Sequence, residues 1–416
     1  MEIAQKNEKT SMLTIAVFVF ALIVICINIA SVIFPALILE VVLGNEVKHD
    51  PFVVGPWTLP IIISNLAVLT LGIAYYKNKI PRKILNCMRF IYNFEISKNV
   101  AMLVFMGMLF TFIGAEMEEI TKDESLSVGD FLGVEQAAKN FPEIGESSIM
   151  VTLGNLVVKN FFLKSSLVLF DNIRVIPFLA SITLLILTYL FTYEITKKRF
   201  AGLVSMVVLM QSFTFLNYDT IATYSNFWTM FYLLSLYLII KKKWYLSPVA
   251  YIASILSKGL TAAYLPLTIF FTYRADIPRK KKFQTMLVYG ILVTVAVYAF
   301  FGIGIDVGGG ITTGGLEFNY VDFWSAMATW SYQLRFDGLF LMFILPLTVG
   351  LFLCAKKVNL QADSILFLIV GITFAMPMLA ALTGFNLHPY RYMPLVVFFA
   401  IGVGTLFSNK VLLKQP

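Results

Sequence analysis

Along most of its length the chain repeats one pattern, an apolar run of roughly 17 to 25 residues closed off by a short charged cluster. Runs of that length cross a hydrocarbon core, and they predict helices over 12–36, 57–76, 99–114, 174–193, 201–217, 224–240, 246–257, 259–273, 284–304, 338–355, 364–383 and 391–408. The reading is an all-α polytopic membrane protein with about 12 transmembrane helices and both termini on one side. The pair at 246–273 is the least regular. Each half has about 13 residues, near 20 Å of helix, and the basic clusters on either side require an even number of crossings. Lys258 is therefore expected at a hairpin tip below the outer surface, where irregular backbone persists only if it is buried in protein or lines a cavity.

Charge sorts cleanly between alternate loops. One set of loops holds 23 of the 32 basic residues against six of the 24 acidic ones, a balance of +17. The other holds nine basic against eighteen acidic residues, and together the two faces make up the chain's +8. By the positive-inside rule the basic face is cytoplasmic, which places both termini in the cytoplasm and the protein in the cytoplasmic membrane. A basic surplus would suggest nucleic acid in a soluble protein. Here it reports topology, and no nucleic-acid partner is expected.

Two external segments exceed simple turns. The first covers 114–172, and its apolar part, "SSIMVTLGNLVVKNFFLKSSLVLF", would invert every later loop if it crossed. It is expected to lie on the outer surface as an amphipathic or re-entrant segment, with Lys159 and Lys164 facing water or lipid phosphate. The second, 306–337, joins the glycine-rich "DVGGGITTGG" to an aromatic stretch, a composition that suits either a substrate-covering loop or an interfacial connector. With 59% hydrophobic and 13% charged residues, no soluble domain is indicated. Residues 1–98 read as a two-helix N-terminal extension with a basic cytoplasmic loop, and 99–416 as the main transmembrane domain. The first run lacks a convincing cleavage site and is taken as a retained helix. Cys26, Cys87 and Cys354 form no CxxC or Cys/His group, so neither a disulfide framework nor a zinc site is implied.

The predicted spans hold almost no ionisable group at mid-membrane depth, which weighs against an ion-coupled transporter. Charges collect instead at external helix ends: Glu116, Glu118 and Glu119 after the third helix, Arg174 before the fourth, Asp219 after the fifth, Lys258 at the hairpin tip, and His388 with Arg391 before the last. A carboxylate can deprotonate an acceptor hydroxyl while cations hold a phosphate whose charge grows as it leaves. Singly, each residue also reads as a solvated helix end or a headgroup anchor. Clustered acids would accept a divalent metal, but no spacing demands one, and no HExxH, GxSxG or Walker loop occurs.

The order of these features resembles the GT-C superfamily of integral membrane glycosyltransferases, in particular the branch of protein O-mannosyltransferases and lipid A aminoarabinose transferases. The similar features are an Arg-x-Pro-like helix start at Arg174, a basic turn at 197–199, a polar and aromatic helix end at 218–226, a hairpin from Lys258 to Pro266, and "HPYRYMPLVVFFA" with Arg391 opening the last helix. The resemblance covers roughly 105–407. It implies a GT-C-like fold and an inverting transfer of one sugar from a polyprenyl-phosphate-linked donor to a protein or glycolipid acceptor outside the membrane. It also implies a catalytic acid early in the first external loop, carried here by Glu116, Glu118 or Glu119, with Asp123 and Glu124 as competitors. Substrate contacts would fall on Arg174, Asp219, Lys258, His388 and Arg391. The family's Asp-Glu pair before a tyrosine and its Pro-Pro element are not reproduced, Ser147 and Ser148 standing where the prolines would be. A lipid or small-solute transporter, a flippase, or a non-catalytic assembly subunit on the same scaffold is the alternative.

Overall fold

The computed structural model describes residues 11–42, 50–126, 128–141, 156–301, 317–357, 361–384 and 387–408. Every regular element among them is helical. They are α1 (Met12–Ile33), α2 (Thr58–Tyr76), α3 (Arg82–Asn93), α4 (Lys98–Thr121), α5 (Phe131–Asn140), α6 (Val157–Phe170), α7 (Val175–Thr196), α8 (Arg199–Met210) and α9 (Phe213–Asn217). There follow α10 (Phe227–Ile240), α11 (Ser247–Ser257), α12 (Leu265–Arg274), α13 (Arg279–Phe301), α14 (Tyr320–Met327), α15 (Trp330–Gln333), α16 (Gly338–Lys357), α17 (Gln361–Thr383) and α18 (Met393–Thr405). In a bilayer only a helix or a closed barrel satisfies every backbone group internally, so apolar runs of this length become helices. Six described helices, α1, α2, α4, α7, α16 and α17, are long and apolar enough to cross, which makes this a multi-pass all-α membrane protein. Helices α8, α10 and α11 are apolar but shorter.

The best-buried element is α18, enclosed by α7, α8, α16 and α17. Close approach there depends on a missing side chain: a Cβ on Gly404 would stand 2.0 Å from Ser205 Oγ and 2.6 Å from the Ala201 carbonyl oxygen. Small residues let membrane helices touch backbone to backbone. Helix α1 packs on α16 and α17 and belongs to the same body as the residues beyond 99. At one end it is tied in by a buried polar network in which Arg274 pairs with Asp363 and Thr14 Oγ1 donates to Asp363 Oδ2 at 2.9 Å. Helices α2 and α4, by contrast, turn most of their apolar surface outward.

Several boundaries differ from the sequence expectation for identifiable reasons. Helix α4 continues through Thr121, so Glu116, Glu118 and Glu119 lie in its last turns and not in a following loop. Glutamate is a good helix former, and its charge ends the hydropathy run without ending the helix. The run 201–217 breaks at Gln211, because Ser212 Oγ accepts from the Phe215 amide at 3.2 Å and starts α9 anew. The Lys258 tip is a change of helix type: Lys258 closes α11 in extended conformation, and a 3-10 helix, Gly259–Tyr264, leads into α12. Of the two long segments expected outside, α5 and α6 are described in the first and α14 and α15 in the second, while 142–155 and "DVGGGITTGG" fall outside the described residues.

Candidate functional site

Helix α4 buries a stripe formed by Ala101, Leu109 and Phe112, the last stacking on Phe178 of α7 and Phe215 of α9. Glu116, one turn beyond Phe112, continues that stripe and faces the protein. Glu119 is half-buried and pairs with Lys122. Glu118 points outward and is exposed. Of the three glutamates, only Glu116 bears on Asp219.

Opposite Glu116 lies the connection 218–226 between α9 and α10, held by three clamps. Arg174 donates from Nε to the Thr220 carbonyl at 3.1 Å, from Nη2 to Thr220 Oγ1 at 2.7 Å and from Nη1 to the Lys122 carbonyl at 2.7 Å. The Glu124 carboxylate accepts the amides of Ala222 and Thr223 at 2.8 and 2.9 Å and stands 4.0 Å from Arg174 Nε. Ser181 Oγ donates to the Asp219 carbonyl at 2.7 Å. Arg174 is therefore engaged by protein acceptors and shapes the loop. What the loop presents is the Asp219 side chain, 1% exposed. Burial and then the nearby charge of Glu116 push its pKa up to about 8, against the pull of the Thr220 amide and of Arg174.

A second group adjoins the first through Tyr218, whose ring meets that of Tyr390 edge-on at 5.8 Å. Tyr390 lies in the 3-10 turn Pro389–Tyr392 that opens α18, and its ring is stacked on Tyr224 at 4.2 Å and on His388 at 5.9 Å. Lys258 Nζ sits 4.3 Å above the Tyr390 ring and donates to its hydroxyl at 3.3 Å, and Arg391 Nε reaches the same oxygen at 3.3 Å. Two cations thus converge on one phenol, and the charge bearing on Lys258 is that of Arg391. No described carboxylate lies within ion-pair distance of Lys258.

Lys159 of α6 lies close enough to this group for the charge of Lys258 to bear on it. The expectation that it faces water or lipid is overturned: it is 9% exposed, and its Nζ donates to the Thr223 carbonyl at 2.6 Å. Burial, assisted by the charge of Lys258, lowers its pKa to about 7, while Glu124 and Asp130 act to raise it. Asp130 accepts from Tyr224 Oη at 3.0 Å. His388 is held below the usual imidazole value by burial and by Arg391. Lys164 stays near the surface and donates to the Lys139 carbonyl at 2.5 Å.

The second group opens onto a cavity of about 630 Å³ between α9, α14, α15 and the end of α17. Tyr218 and His388 form its border with the cations, and Asp322, Gln333, Arg335 and Tyr332 line it further out. Asp130 has no motif to mark it, whereas Glu124 stands among the acids of the first long segment, Lys159 shares its apolar stretch only with Lys164, Tyr224 lies in the polar and aromatic helix end and Tyr390 adjoins Arg391. Among the described residues no three His, Cys, Asp or Glu side chains converge as metal ligands would. No protein-family model, curated protein or solved structure matches the chain.

Proposed function

We propose that this chain is a membrane glycosyltransferase that takes one sugar from a polyprenyl-phosphate-linked donor and gives it to an acceptor on the extracytoplasmic face of the cytoplasmic membrane. In this reading it is a GT-C-like protein with twelve crossings and cytoplasmic termini. The observation that carries it is the meeting of Lys258 and Arg391 on the Tyr390 hydroxyl, with Lys258 in contact with no acidic partner among the described residues. A partly buried cation without a counter-charge is costly, and an anion bound beside it removes that cost. A lipid phosphate has the charge, the oxygens and the route of approach through the bilayer.

The chemistry follows from the two groups. The acceptor hydroxyl attacks the anomeric carbon as the bond from that carbon to the phosphate oxygen breaks, inverting the centre. Lys258 and Arg391 neutralise the charge that grows on the departing phosphate. Glu116 takes the hydroxyl proton, being the glutamate that the fold turns toward the 218–226 loop, and Asp219 beside it stays protonated near neutral pH and so does not repel it. Arg174 acts through the loop that carries Asp219.

The test uses purified protein with a labelled polyprenyl-phosphate sugar. Glu116→Gln should keep donor binding and lose turnover at least 100-fold, whereas Lys258→Gln should weaken donor binding. Solute uptake into proteoliposomes with no sugar transfer would sink this assignment in favour of a transporter.

A further inference from the structure

We propose that α3 is an interfacial helix that seats on the basic-face leaflet by binding anionic phospholipid headgroups, fixing the depth of the α2 and α4 spans. The inference depends on the helix and its flanks alone and is independent of the glycosyltransferase reading. Helix α3 lies between two spans whose outer surfaces are apolar and uncovered, and not one of its twelve residues is buried. Its residues are nonetheless strongly sorted. Ile84, Cys87, Met88 and Ile91 recur at helical spacing on one face, and Arg82, Asn86, Arg89 and Asn93 recur on the opposite one, with Lys83 at the flank. Ile84, Met88 and Ile91 remain 46%, 36% and 45% exposed, so the described chain leaves much of the apolar face uncovered.

The orientation of this helix is held at its C-terminal end. Lys198 Nζ donates to the Tyr92 carbonyl at 2.8 Å, the Phe94 ring meets Phe200 edge-on at 5.1 Å, and the Arg199 amide donates to Glu95 Oε1 at 3.0 Å. The helix cannot swing away from the end of the bundle, where α2 leaves the membrane and α4 enters it. Lys77 and Lys79 follow α2, and Lys98 begins α4. From 77 to 98 there are six basic residues and one acid, Glu95, which is engaged by Arg199. An apolar face held at the membrane surface with basic groups on the far side and at its edges has the arrangement that inserts at the headgroup boundary and recruits negative lipid. A soluble protein partner would explain the apolar face but not the position between two lipid-facing spans.

Cys87 is a native reporter, exposed and on the apolar face. The full chain carrying Cys26→Ser and Cys354→Ser is placed in nanodiscs, where both leaflets meet solvent, made of phosphatidylcholine alone or with about one third phosphatidylglycerol. A water-soluble maleimide should react with Cys87 about tenfold more slowly in the anionic discs. Raising the salt to about 1 M should restore most of the rate, and so should the combined Arg82→Gln, Lys83→Gln and Arg89→Gln substitutions. The salt titration needs no charge variant, so a misfolded triple variant leaves the test intact. Equal rates in both discs, or protection indifferent to salt, would overturn the proposal.

Discussion

Replacing Asp219 with asparagine tests the buried acid directly. The carboxyl group is almost wholly enclosed and lies near the charge of Glu116. Its pKa rises from the ordinary 3.8 to about 8, so between those values the folded protein holds a proton that the unfolded chain releases. Stability must then fall as pH rises across this window, by about 1.4 kcal/mol per pH unit. From pH 5 to pH 8 the wild type should lose roughly 4 kcal/mol that the asparagine variant, equal in shape to the protonated acid, does not lose. Thermal unfolding in detergent, followed by intrinsic tryptophan fluorescence, should show the melting-temperature advantage of the variant growing by several degrees from pH 5 to pH 8. Parallel melting curves across the range would show that Asp219 is ionised in the folded protein and would refute the reasoning.

Other expectations follow from the same geometry. Glu118→Gln should leave any turnover within about twofold of wild type while Glu116→Gln abolishes it, measured in one assay at matched expression. Gly404→Ala should destabilise by about 1 to 3 kcal/mol, because the added carbon meets the Ala201 carbonyl, which is backbone and cannot move aside; a melting temperature unchanged from wild type would contradict it. Asp363→Leu strands the Arg274 charge and should cost about 3 to 5 kcal/mol, whereas Arg274→Met combined with Asp363→Leu should recover much of that loss in a double-mutant comparison.

How far the fold can be read from sequence depends on which interactions are local. The long helices are legible because hydrocarbon demands about 20 consecutive apolar residues, and α1, α2, α7, α16 and α17 begin and end near the hydropathy edges. Helix α4 overruns its edge because hydropathy registers the charges of Glu116, Glu118 and Glu119 and not their helix propensity. At the site, charge at helix ends identifies Asp219, Lys258, His388 and Arg391 as candidates but cannot say which touch. Arg174 illustrates the limit. Its position suggests a phosphate ligand, yet its donors close on Thr220 and Lys122, acceptors 46 and 52 residues away that no local pattern pairs with it. Lys159 fails in the opposite sense, since an amphipathic segment suggests exposure and only the packing of α6 against the 218–226 loop buries it.

The most direct test of the proposed phosphate site is the lipid that the protein retains. Wild type extracted in mild detergent should carry polyprenyl phosphate or its sugar-linked form in the mass spectrum of its bound lipids, and Lys258→Gln, confirmed as folded by its melting temperature, should have lost most of it. Bulk phospholipid alone on the wild type, or equal polyprenyl phosphate on both proteins, would contradict the account.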